Sequence, residues 1–369
     1  KWVLVIESRL EYEAENTVIC QFKKYLASMM WFAIAVFLIA PSATEANDQI
    51  YKAGAATAIR GPIDAVTSDG ISLKVNGVTQ NIPSGEIDRI IFFGSPSELL
   101  RAQAQVRQQQ YEEAKNALAG IDKSQVTAKF VIQEIAYCEA VCDHEMSKDG
   151  RTKRADASTA LAGFVQTHKD SFHYYDIVQR TGDLAKSMGN YEVAVGAYNE
   201  LQMAVDTGIQ LIARVSLAST LFSQGDFQQA QGIYQQVAAT DSESPKLRAM
   251  IRLAKVGHAH CQAETGQIAE AIAALDVIIK DGEPLAEKDL FARVYNARGA
   301  AFRQADQPKD AVLAYLHTDK LFNQNEDAHA EALYYLSQLW EQLNKSDRAK
   351  QDRQLLRTRY GDSVWAKKQ

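Results

Sequence analysis

The side chains in this sequence best suited to chemistry are few and poorly grouped. His258-Ala259-His260-Cys261 places three metal-ligating residues within four positions. On a helix, residues two apart point to different faces. A helical zinc pair instead sits four apart, with further ligands elsewhere. No metal site is expected here. Cys138 and Cys142 share a helix face, but His144 falls off it. Helical geometry disfavours a bridge between these two cysteines, so both are expected as small buried apolar groups. The sequence contains no glycine-rich phosphate loop and no Gly-x-Ser-x-Gly elbow. Its carboxylates are scattered, and no pair stands apart. Catalysis, a cofactor and a metal are therefore all unexpected.

The elements that would carry any site begin with bulk composition. The chain has 369 residues, 46% apolar and 23% charged, with a formal charge of −6. That composition suits one large or two modest globular domains. No long Lys/Arg block is present, so nucleic acid is not an expected partner.

Residues 1–46 read as a leader. Lys23 and Lys24 precede an apolar stretch at about 26–40, which Pro41 and Ser42 end. This charged, apolar, small-residue order is that of a secretory signal peptide. Thr44-Glu45-Ala46 offers a cleavage context, which would start the mature chain at Asn47. The alternative is an uncleaved anchor, and membrane association is expected only in that case. Export to a periplasm or cell envelope follows. Residues 1–22 read as an over-extended start or a long leader, and Cys20 lacks a lipoprotein context.

Residues 47–95 read as a small antiparallel β module. An extended segment covers 57–67, and Ser68-Asp69-Gly70 is a turn. Ile71–Val75 alternates apolar and polar, Asn76-Gly77 suits a tight hairpin, and 78–83 pairs back. Ile87–Gly94 is a last apolar strand. Three or four short strands need a partner surface to bury their apolar face. The pattern resembles an SH3-like or Sm-like half-barrel, and packing against the first helix of the downstream region is expected.

From Pro96 to Gln369 the chain reads as helical, with Ser97 as the first N-cap. A short phrase recurs. Tyr111 precedes Ala114 and Leu118, and Gly189-Asn190-Tyr191 precedes Ala194 and Tyr198. Phe227 precedes Ala230 and Tyr234, Ile268 precedes Ala271 and Leu275, and Pro308 precedes Ala311 and Tyr315. The Gly-Asx pair suits a turn between antiparallel helices. The alanine lets two helices approach, and the large residue four later fills the gap. Gly182, Ala218, Ala259 and Gly299 stand seven before the turn and permit the same close contact in the preceding helix. Ala160–Phe164 and Ala349 mark two weaker units. Arg353 replaces the last large residue, as in a solvent-facing cap.

These residues resemble the tetratricopeptide repeat (TPR), which places a small residue in the first helix and Ala-x-x-x-aromatic in the second. The family period is about 34 residues, whereas Ala194, Ala230, Ala271 and Ala311 are separated by 36, 41 and 40. A general α-solenoid or helical bundle is the alternative. The resemblance implies a mainly α fold: a right-handed solenoid of antiparallel helix pairs behind the β module. It also implies a concave face lined by the first helix of each pair. On that face it places Asp176, Gln179, Asp183 and Lys186, then His260, then Arg293, Asn296 and Arg303, then Tyr334 and Gln338. Ile212, Val215 and Phe222 would add apolar surface there. Such a face implies a protein or peptide partner and a non-catalytic scaffold. A structural or assembly role through the β module and solenoid edges is the alternative, self-association included, and a hydrolase the remotest one.

Overall fold

The computed structural model describes residues 47–368. The leader, its apolar stretch, the cleavage position near Ala46 and Cys20 lie outside the described residues. Among the described residues, no helix is long and apolar enough to cross a membrane.

Pro62 breaks the first extended segment in two, because proline cannot donate to a sheet ladder. That split and one further strand at the start give the module six strands and not three or four. They are β1 (Asp48–Lys52), β2 (Ile59–Gly61), β3 (Ile63–Thr67), β4 (Gly70–Val75), β5 (Val78–Pro83) and β6 (Ile87–Ile91). They form two three-stranded antiparallel sheets, ordered β2-β1-β6 and β3-β4-β5. β1 escapes sequence reading because only Ile50 within it is fully buried. Asn76 and Gly77 adopt φ of 51° and 80°, the tight hairpin their types allow.

The module's apolar face does not stand alone. Ile50, Leu73, Ile82, Ile90 and Phe92 share one core with Leu99, Leu118, Val131 and Ile135 of the first helices. A buried polar seam crosses the same junction. Gln103 donates to the Ile90 carbonyl at 3.3 Å and to Glu134 at 2.7 Å. Glu134 in turn meets His173 Nε2 at 2.8 Å, and that ring stacks on Tyr137 at 3.4 Å.

Fifteen helices follow among the described residues. The first seven are α1 (Ser97–Arg107), α2 (Tyr111–Ala119), α3 (Lys129–Ser147), α4 (Arg154–Thr167), α5 (Tyr174–Ser187), α6 (Tyr191–Leu201) and α7 (Thr207–Gln224). The rest are α8 (Phe227–Ala238), α9 (Pro245–Glu264), α10 (Ile268–Lys280), α11 (Lys288–Gln304), α12 (Pro308–Leu321), α13 (Glu326–Gln342), α14 (Ser346–Tyr360) and α15 (Val364–Lys367). Ser97 opens α1, and Pro96 takes the cap position. Helices α1 to α14 form seven antiparallel pairs. In six of them one residue in the left-handed region reverses the chain. These are Gln109, Gly189, Gly225, Gly266, Asp306 and Asn344, with φ from 53° to 87°. Each stands two residues before the second helix.

Close approach within a pair depends on small residues facing large ones. Tyr198 and Tyr315 are fully buried. A Cβ added to Gly182 would stand 2.6 Å from the Tyr198 ring, and one on Gly299 would stand 2.7 Å from that of Tyr315. Tyr234 behaves differently. Its ring packs on Gly257 of the next pair, where an added Cβ would stand 2.4 Å away. Ala218 and Ala259 are fully buried at the positions expected of small residues.

The array curls until its last pair meets its early ones. Lys186 of α5 pairs with Asp327 of α13 at 3.1 Å, and Arg154 of α4 pairs with Glu326. α15 completes the seam. Trp365 donates to Asp327 at 3.2 Å, and Lys367 donates to the Met188 carbonyl at 3.1 Å. The inner face is thereby closed into a ring.

Candidate functional site: the central cavity

The first helices of five consecutive pairs, α5, α7, α9, α11 and α13, converge on one cavity of about 310 Å³, which Trp365 also lines. One side is apolar, formed by Ile212, Val215, Phe222, Met250, Leu253 and Val256. The other gathers titratable groups. Lys186 bonds Ser219 Oγ at 3.0 Å as well as Asp327. Arg293 lies 3.6 Å from Asp289, and Asp183 accepts from Tyr198 Oη at 2.7 Å. Asn296 is fully buried and donates to the Ala328 carbonyl and to Glu331, at 2.8 and 2.9 Å.

Charge and burial set the protonation of this wall. Burial alone would raise the Asp327 carboxyl, but Lys186 and Arg293 outweigh it and bring it down to about 2. Glu331 goes the other way. Burial, with Asp327 and Glu264 nearby, pushes it up to about 7 against the Asn296 hydrogen bond. Burial also brings His260 down to about 4, aided by Arg303 and Arg293 and opposed by Glu264.

Comparison with known proteins bears on what this ring is. Residues 221–284 match the sequence model of the tetratricopeptide repeat. A tetratricopeptide repeat protein from Parabacteroides merdae superposes with a TM-score of 0.50 at 12% identity, covering 71% of this chain and 91% of that one. The helical array has the fold of a tetratricopeptide-repeat array. Two further solved structures are similar at lower scores. A Rap protein complexed with competence and sporulation factor gives a TM-score of 0.47 at 14% identity, covering 73% of this chain and 76% of that one. The quorum sensor NprR from B. thuringiensis, in its apo form, gives 0.49 at 9% identity, covering 70% and 85%. At such identities the likeness is one of fold. No curated protein matches the sequence.

Within the TPR ring the expected groove residues separate. Gln179, Asp183, Lys186, His260, Arg293 and Asn296 line the central cavity, together with Ile212, Val215 and Phe222. Asp176 bonds Arg180 and Tyr137 at 2.9 and 3.0 Å and faces a second cavity of about 220 Å³ beneath the β module. Arg303 pairs with Glu264 at 2.5 Å beyond the cavity. Tyr334 packs against Tyr335 and Trp365, and Gln338 is exposed. Asp327, Glu331 and Trp365 belong to the cavity and escaped sequence reading. Neither His258 nor Cys261 lines it, and among the described residues no group of three or more His, Cys, Asp or Glu side chains is placed to hold a metal. Cys138, Cys142 and Cys261 are buried free thiols.

Proposed function

We propose that this chain is an exported, non-catalytic scaffold of the bacterial periplasm or cell envelope, which holds a segment of a partner protein against the inner face of its TPR ring. One observation carries the reading: five consecutive first helices bring apolar and charged side chains together on a single cavity. A neighbouring opening of about 490 Å³ shares Asp183, Lys186, Asp289, Arg293 and Asp327 with that cavity and gives a partner segment its approach. A hydroxyl and an amine meet on the cavity wall, Ser219 with Lys186. There the lysine donates to the hydroxyl and is ion-paired to Asp327. Export rests on the order of charged, apolar and small residues before Asn47.

A photo-crosslinking residue tests the binding face. Placed at Met250, which lines the cavity, it should yield adducts with an envelope protein. Placed at Gln235, exposed on α8, it should yield none. Adducts from Gln235 alone would overturn the assignment. N-terminal sequencing of the chain recovered from cells should read from Asn47, and a retained leader would overturn cleavage.

A further inference from the structure

The hydrogen bonds of the cavity wall are unbalanced. Of its four carboxylates, Asp327 and Asp289 face Lys186 and Arg293. Asp183 and Glu331 are paired with no lysine or arginine among the described residues. The nearest basic group to Glu331 is His260 Nε2, at 3.6 Å, which is beyond hydrogen-bond reach. Three further atoms are buried on this wall without a hydrogen-bond partner: Asn296 Oδ1 on a fully buried side chain, His260 Nε2 on one 8% exposed, and Arg293 Nε. The wall's donors are largely engaged, since Lys186, Asn296 Nδ2 and Trp365 Nε1 all bond within it. Arg293 Nε makes no hydrogen bond but faces Asp289. Glu331 and the orphaned oxygen of Asn296 adjoin, because Asn296 donates to Glu331. A buried acceptor left empty is costly, and a buried carboxylate without a cation more so.

We propose that the central cavity binds a small organic cation, a primary ammonium or guanidinium on a short alkyl stem, with its head on Glu331 and Asn296 Oδ1. The stem lies along Val215, Phe222, Met250 and Leu253. The cavity's volume is at the lower end of ligand pockets, which run from about 300 Å³, and matches one such group in place of a folded segment. The cation has two sources with the same chemistry: a free amine, or a lysine or arginine side chain of a partner. The inference stands on the cavity alone and does not rest on the scaffold reading.

Binding should follow the ionisation of Glu331. The groups facing it are His260 and Glu264 of α9, Arg293 and Asn296 of α11, and Asp327 of its own helix. Its charge also acts on Tyr315 of α12, Tyr335 and the exposed Lys368. A cation prefers the carboxylate, so affinity is full above pH 7 and falls by up to about tenfold per unit below it.

Calorimetry on the purified protein tests this with cadaverine, agmatine, the capped tripeptide acetyl-Ala-Lys-Ala-amide, glutarate and pentanol. At pH 8 at least one of the first three should bind on the order of tenfold or more tighter than pentanol, and glutarate should not bind. Binding of the free amines assigns a small-molecule source, and binding of the tripeptide alone assigns a partner side chain. Either outcome supports the site. Glu331→Gln keeps the shape and should lose about tenfold or more in affinity while melting no lower than wild type at pH 8. The inference is overturned if no amine binds, if glutarate binds as well as the amines, or if Glu331→Gln binds unchanged.

Discussion

Glu331 sets a pH signature that the ring as a whole should display. Its carboxyl keeps a proton up to about pH 7 in the folded chain, against an ordinary value of 4.5. Between those values the folded state binds more protons than the unfolded one, so stability falls as pH rises and the loss is complete above 7. The full penalty is up to about 3 kcal/mol. Glu331→Gln should therefore match wild type in urea denaturation at pH 4 and exceed it at pH 8. His260 acts in the opposite sense. Lowered to about 4 from 6.5, it adds stability as pH rises between those values. The two slopes offset each other between about pH 4.5 and 6.5, and Glu331→Gln should uncover the rising one. Why sequence reading found nine cavity residues and passed over Glu331 is a matter of helix phase. Asp176 stands seven before Asp183, and Arg303 seven after Asn296. Both are on the right stripe but about two turns too far along. Gln338 has the same relation to Glu331. Tyr334 is three residues on from it, a rotation of about 60°.

At the scale of elements, the glycine–tyrosine contacts are the parts most sensitive to change. Gly257→Ala would put a methyl group into the Tyr234 ring. Overpacking of this kind should lower stability by about 1–3 kcal/mol, despite alanine's better helix propensity. A thermal melt checks it, and Gly232→Ala, where an added Cβ meets nothing, is the control and should not destabilise. The second helices were legible because Ala-x-x-x-large repeats at one helical phase, and the same logic located the turns. Gly257 was not legible by that logic. A small partner is expected within each pair, at Ala218, whereas the Tyr234 ring turns to the neighbouring pair on its C-terminal side. β1 was illegible for a different reason. It has one buried side chain, and its place between β2 and β6 depends on pairing with residues 9 to 42 positions away.

At the scale of the whole molecule, the decisive feature is one that no local pattern encodes. Ring closure sums small rotations from the third pair to the seventh, so Lys186 and Asp327 meet although 141 positions separate them. Trp365 holds α15 on α13, packing on Tyr334 and Tyr335 and bonding Asp327, and α15 crosses the seam through Lys367. Trp365→Ala should destabilise by about 3–5 kcal/mol and, where the chain remains folded, raise the radius of gyration in small-angle scattering. An unchanged radius would mean that the ion pairs of Arg154 and Lys186 hold the ring unaided.

That closure bears on how the protein comes apart. In an open repeat array each unit touches only its neighbours, so the terminal units fray first and melting spreads inward over a broad range. Here α13 and α15 rest on α4 and α5, and the β module caps α1 and α3. Neither end is loose. Seven repeats should then unfold in one sharp step, and amide protons of α13 should exchange as slowly as those of α9. The scaffold would be intact or absent as a unit, with no population of partly unwound rings.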